Sequence, residues 1–222
     1  MSTSSPAHYL TVGEYLKREE RASSKHEYVD GLIFPICAVT KRHNVIAQNI
    51  SRALHPKLRG TGCQVYISDV MVRVRPTNSF YYPDVMVTCS PYDPTGVIED
   101  NPRLVVEVLS RSTAATDRRE KVMAYKQVPS VREYLIVHQS RPRLELHRRT
   151  ADGSWIFLEF GLRDDVILES LPSPTCLPAR AIYEDVEWKK DWTVHEDSAA
   201  DAYGVEGEEN PDEDQWDENL EW

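Results

Sequence analysis

The residues with most chemical potential in this 222-residue chain are two acids and a lysine, Asp84, Glu107 and Lys121. Glu107 sits within Leu104-Val105-Val106-Glu107-Val108-Leu109, a run apolar on both faces, as expected of a central strand covered on both sides. An ionised carboxylate in such a strand is strongly disfavoured unless something positive compensates it. Asp84 follows Pro83 and opens the apolar run Val85-Met86-Val87, while Lys121 falls on a helical stretch downstream. If the two strands are neighbours, both carboxylates meet at one end of a sheet. Hard oxygen ligands suit Mg²⁺ or Mn²⁺, which keep several waters and take one or two protein carboxylates. Such an ion polarises a phosphate and activates water, and a nearby lysine steadies the attacking water or the developing charge. The pattern is that of a divalent-metal site for phosphodiester hydrolysis.

Each residue also has a structural reading. Asp84 after a proline can be a plain turn or strand-start residue. Lys121 can pair with Asp117, four positions before it on a helix. Glu107 is harder to assign to structure alone, because buried unpaired carboxylates are rare. His43 opens a helix, where a neutral histidine can cap, pack or join the site. Asp69, Arg118, Arg119 and Arg132 can line a nucleic-acid cleft or form a solvated face.

The elements that must position these groups follow from periodicity and turn chemistry. Thr11-Val-Gly-Glu14 is a capping box opening a short helix. Asp30-Gly31 between apolar runs marks an N-terminal hairpin. Apolar positions Ile46, Ile50, Ala53 and Leu54 recur at helical spacing from His43 to about His55, and Pro56 is expected to end that helix. Val65 to Arg75 alternates as a strand or hairpin. The Asp84 strand, the loop 90–102 and the Glu107 strand follow. After them come a helix over 117–127, a strand over 131–137 and a C-terminal hairpin around Asp152-Gly153. Pro178 to Ile182 reads as the start of a last helix. The order α-β-β-β-α-β between residues 43 and 137 implies a mixed sheet with helices on both faces.

The net charge of −10 is unevenly distributed. Residues 189–222 hold 2 lysines and 13 acids, a balance of −11, whereas residues 1–188 hold 24 basic and 23 acidic residues, a balance of +1. The expected organisation is therefore a flexible N-terminus over 1–8, one domain over 9–188 and an acidic, disordered tail over 189–222. No apolar run is long enough to span a membrane, and no export signal precedes the body. The four scattered cysteines, with no CxxC pair, speak against zinc and fit reduced thiols in a cytoplasmic protein.

Taken in order, several local patterns resemble the PD-(D/E)XK nuclease superfamily and, more closely, its Uma-type restriction-endonuclease-like proteins. They are Glu27-Tyr-Val-Asp-Gly31, His43, Tyr82-Pro-Asp-Val85, Val106-Glu-Val-Leu-Ser110, Asp117 with Lys121 and Tyr125, and Glu133-Tyr134. The likeness runs from about Leu10 to Trp188. It implies a restriction-endonuclease-like α/β fold and Mg²⁺ or Mn²⁺ held by Asp84 and Glu107. A backbone carbonyl near Val108 would be a third ligand, with Glu27 an accessory acid. It further implies DNA as substrate and a homodimer for cutting both strands. The sequence departs from the superfamily at Leu109, where a lysine is expected; in the Uma-type pattern that lysine moves to the following helix, here Lys121.

The expected activity is metal-dependent DNA endonuclease. The alternatives are a catalytically silent nuclease-fold protein that binds DNA or a partner, and a structural module in which Glu107 simply pairs with Lys121.

Overall fold

The structure is a computed structural model, describing residues 9–110 and 117–188, the side chains of 117 and 118 excepted. Its helices are α1 (Val12–Glu19), α2 (Lys41–Leu58), α3 (Val122–Lys126) and the single turn α4 (Ala179–Ile182). The strands are β1 (His26–Val29), β2 (Leu32–Pro35), β3 (Gln64–Ile67), β4 (Met71–Val74), β5 (Ser79–Tyr81), β6 (Val85–Thr88), β7 (Ile98–Glu99), β8 (Pro102–Leu109), β9 (Glu133–His138), β10 (Arg143–Arg149), β11 (Trp155–Gly161), β12 (Asp165–Leu168) and β13 (Thr175–Pro178).

Two sheets organise the site. The larger has the order β11-β10-β9-β8-β6-β3, and the smaller β2-β1-β5-β4-β7. In the larger sheet only β8 and β9 run parallel, joined by a crossover that contains α3. Its chain order is α2, β3, β6, β8, α3, β9, which is the expected α-β-β-β-α-β core and a mixed sheet between helices. The smaller sheet is spliced into that core: β4, β5 and β7 leave the larger sheet and return to it.

Successive residues of β8 point to opposite faces, and both faces are buried. Leu104, Val106 and Val108 pack with Ile46, Ile50 and Leu54 of α2, while Val105 and Leu109 pack with Val122 and Tyr125 of α3. Burying each such aliphatic side chain contributes roughly 1.5–3 kcal/mol, and this two-sided cover is why β8 reads as an unbroken apolar run. Glu107 shares the α3 face with Val105 and Leu109.

Four expectations hold at the level of local structure. Thr11 and Glu14 complete a reciprocal capping box on α1. Asp30 and Gly31 form the two-residue turn of the β1–β2 hairpin, both with positive φ. Gly31 is needed there, since a Cβ would fall 2.7 Å from Tyr9 Cδ1. The β10–β11 hairpin closes the larger sheet, and Pro178 leads into α4.

Three expectations are corrected. Pro56 lies inside α2 instead of ending it; it falls in the last turn, where one missing backbone donor interrupts little. The alternating stretch 65–75 is neither one strand nor one hairpin. Ser68, at φ 52°, breaks it so that β3 joins the larger sheet and β4 the smaller. The cysteines are not all reduced thiols: Cys63 and Cys89 form a disulfide, while Cys37 and Cys176 are free. The cause is register, since Gln64 pairs with Thr88 and so brings the flanking cysteines together. Among the described residues no helix is long and apolar enough to cross a membrane. The flexible start and acidic tail expected at 1–8 and 189–222 lie outside the described residues.

Candidate metal centre

The chain passes from the smaller sheet to the larger through Tyr82-Pro83-Asp84, the link between β5 and β6. β6 and β8 are antiparallel neighbours with Val85 opposite Val106. Continuing that register by one residue sets Asp84 across from Glu107, and directly opposed residues point to the same face. That register puts the two residues across from each other at the end of the sheet, and both line one cleft.

Asp84 is held by one backbone donor and one close histidine. The backbone N–H of Val108 donates to its Oδ2 at 2.7 Å, and His43 Nε2 lies 3.2 Å from the same oxygen. His43 is buried in the first turn of α2, where Thr40 caps the helix by accepting from the His43 N–H. The histidine thus joins the site, which its sequence position left open. Val108, expected through its carbonyl, contributes its N–H to Asp84 in the contact described here.

Lys121 ends a π-helical turn, Asp117–Lys121, immediately before α3. It is 4% exposed, and Glu107 3%. The ammonium lies 2.8 Å from Glu27 Oε1 and 3.3 Å from Glu107 Oε1, and 5.4 Å from the centre of the Tyr81 ring. One buried cation is shared by two carboxylates from different sheets. Glu27 reaches this point from β1 and also accepts from the Tyr82 N–H at 3.4 Å. The alternative partner of Lys121, Asp117, has a side chain outside the described residues, as does Arg118.

Tyr125 lies beneath the cluster, between Tyr81 and Tyr134 with ring centres 5.6 and 5.1 Å away. Burial first, and the neighbouring Glu107 charge second, push its phenol well above the ordinary tyrosine range. Its hydroxyl has no hydrogen-bond partner among the described residues, so it is held neutral and contributes bulk. Burial likewise raises Tyr81.

A cleft of about 400 Å³ opens over these groups, bounded by Glu27, His43, Asp84, Glu107 and Lys121 on one side and by residues 34–39 on the other. Glu120 and Tyr82 also line it; Glu120 did not stand out in the sequence, since an acid on a helix carries no local signal, and Tyr82 entered only as part of the Tyr82-Pro-Asp-Val85 pattern. Of the other suggested charges, Asp69 is exposed and paired with Lys25, and Arg119 is exposed. Arg132 lines a separate depression with Arg103. Glu133 serves structure: fully buried, it accepts from Arg148 Nε at 2.7 Å and from the Ser170 N–H at 3.0 Å.

The donor set decides which ion fits. Among the described residues no group of three or more His, Cys, Asp or Glu side chains is placed to hold an ion together. Two neighbouring carboxylates fit Mg²⁺ or Mn²⁺, which complete their shell with water and substrate oxygens.

A family model, Uma2, described as "Putative restriction endonuclease", matches residues 12–179. Two relatives from Synechocystis sp. (strain ATCC 27184 / PCC 6803 / Kazusa) are similar to this chain. "Uncharacterized protein slr1290" is 37% identical over 171 residues, 77% of this chain and 90% of its own length. "Uncharacterized protein sll1609" is 35% identical over 153 residues, 68% of this chain and 86% of its own length. Among solved structures, a chain from Anabaena variabilis ATCC 29413 described as "a putative nuclease belonging to DUF820" superposes with a TM-score of 0.65 at 16% identity. The match covers 78% of this chain and 97% of that one, and it shows a shared fold.

Proposed function

Because the chain belongs to the Uma2 family described as "Putative restriction endonuclease", we propose that it is a metal-dependent DNA endonuclease whose site is built on Asp84, Glu107, Lys121 and Glu27. The observation that carries this reading is the buried ammonium of Lys121, held at 2.8 and 3.3 Å by Glu27 and Glu107 in the cleft that Asp84 also lines.

Asp84 and Glu107 would hold Mg²⁺ or Mn²⁺. When bound, that ion supplies Lewis acidity to the phosphate and to the attacking water. The chain's own groups do the rest. The Val108 N–H and His43 fix one oxygen of Asp84, so the carboxylate presents itself without searching rotamers. Lys121 brings a buried positive charge to the cleft, where charge accumulating on phosphate oxygens would be stabilised. Glu27 aims that ammonium from the second sheet. DNA is the partner in this reading, and a second copy of the chain the means of cutting both strands.

One rival shares this ion pair. A lysine neutralised by two carboxylates is also what a silent nuclease fold would retain for stability, acting as a DNA- or partner-binding module. Titrating Mn²⁺ into the full chain while following Mg²⁺-dependent nicking of circular DNA separates the two. The nuclease reading expects one ion-binding event lost in Asp84→Ala and nicking lost with it. DNA binding without nicking or ion binding would establish the silent module instead.

A further inference from the structure

The wall facing the carboxylates is apolar and open to solvent. Residues 32–39, Leu-Ile-Phe-Pro-Ile-Cys-Ala-Val, form β2 and the segment after it, and Leu32, Phe34, Ile36 and Val39 are all exposed. β2 is the edge of the smaller sheet. In its pairing with β1, Phe34 is directly opposite Glu27, so the two side chains share a face. Glu27 touches Lys121. Phe34 therefore stands one strand from the ion pair, 47% exposed, with its ring on the same cleft.

From this juxtaposition we infer that the cleft takes an unpaired DNA strand, with a nucleobase next to the scissile phosphate stacked on Phe34. The inference rests on the nuclease reading and names its substrate class. A base inside a duplex offers its faces only to neighbouring bases, so stacking on a protein ring requires a strand that is single or locally opened. A cleft of about 400 Å³ has room for a nucleotide. The strand has a charged path onward. A second cavity of about 900 Å³ shares Ala38, Val39 and Ser110 with the cleft and adds Lys41 and Arg42 from the start of α2, with Asp185 and Glu187 in the same lining. A strand passing Val39 would set its next phosphate beside Lys41 and Arg42, the basic side of a cavity that also carries two acids. A protein covering the same wall would close the cleft to any substrate, which is why the occupant is a nucleic-acid strand and not a second copy.

The test uses the full chain and an oligonucleotide carrying 2-aminopurine, whose fluorescence falls on stacking, as a single strand and as the matched duplex, with Ca²⁺ replacing Mg²⁺. The single strand should bind more tightly and its fluorescence should drop. Phe34→Ala should weaken its binding by about 5- to 150-fold, the range of one lost base–aromatic stack. Phe34→Trp should restore both signals, and Phe34→Leu, with apolar bulk but no ring, should restore neither. Equal single-strand affinity in Phe34→Ala overturns the proposal. So does a change from dimer to monomer in Phe34→Ala with affinity unchanged, which would make the wall a subunit interface. Asp84-dependent cleavage with no role for Phe34 leaves the nuclease reading standing without this inference; Phe34-dependent binding with no cleavage does the reverse.

Discussion

Replacing Lys121 with methionine removes the charge but keeps the length and helix propensity of the side chain. The ammonium sits 2.8 Å from Glu27 and 3.3 Å from Glu107; at an effective dielectric of about 20 these contacts correspond to roughly 6 and 5 kcal/mol of attraction. Most of that offsets the desolvation of three charges. What the substitution exposes is the residue of the balance: two carboxylates, one of them 3% exposed, left without their shared cation. Breaking a buried pair from one side costs about 3–5 kcal/mol. Urea unfolding of Lys121→Met should therefore show a lower midpoint with an unchanged slope, the signature of lost stability without altered compactness. Adding Glu107→Gln should recover a large part, because the double variant buries one charge fewer. Turnover is a separate readout: on the proposed nuclease reading, in which the lysine also acts at the phosphate, both variants should be inactive on DNA. A loss below about 1 kcal/mol, the range of exposed pairs, would refute the argument that this cation holds the two sheets' carboxylates together.

Further outcomes follow from other parts of the molecule. The Cys63–Cys89 disulfide closes a loop of 26 positions, so Cys63→Ser with Cys89→Ser should lower unfolding stability by about 2–4 kcal/mol, measured against the oxidised parent. The His147 ring, packed beside Phe157 and Tyr134, is driven down to about 4 by burial, with the Lys126 charge adding to the effect. Its folded value lies below its unfolded one, so the stability it confers is present above pH ~6.5 and lost as pH falls through about 4. After discounting for solvent screening the loss is on the order of 1–2 kcal/mol, and the slope over that window should flatten in His147→Phe.

The sequence carried the strands of the site because their physics is local. Leu104 to Leu109 is apolar on both faces since α2 covers one and α3 the other, and a lone carboxylate stands out against that background. Pairing was less legible. The alternation from Val65 to Val74 is genuine strand periodicity, but nothing in it says that Ser68 turns the chain from one sheet into another. The disulfide was hidden for the same reason, because the spacing of Cys63 and Cys89 becomes meaningful only once Gln64 is opposite Thr88. Glu27 stood out only through the family resemblance; its contact with Lys121 depends on how two sheets meet. The N-terminal hairpin was legible at Asp30-Gly31, but that residues 34–39 beyond its turn line the cleft follows only from the structure.

The central claim is that Asp84 and Glu107 form a working metal site on a nuclease fold. It is tested most directly by incubating circular DNA with purified full-length chain, its Asp84→Ala variant and its Glu107→Gln variant, each with Mg²⁺ and with EDTA. The parent chain should nick with Mg²⁺ and not with EDTA, and neither variant should nick at all while both remain folded. Cleavage that survives EDTA, or that either variant retains at the parent rate, would contradict it.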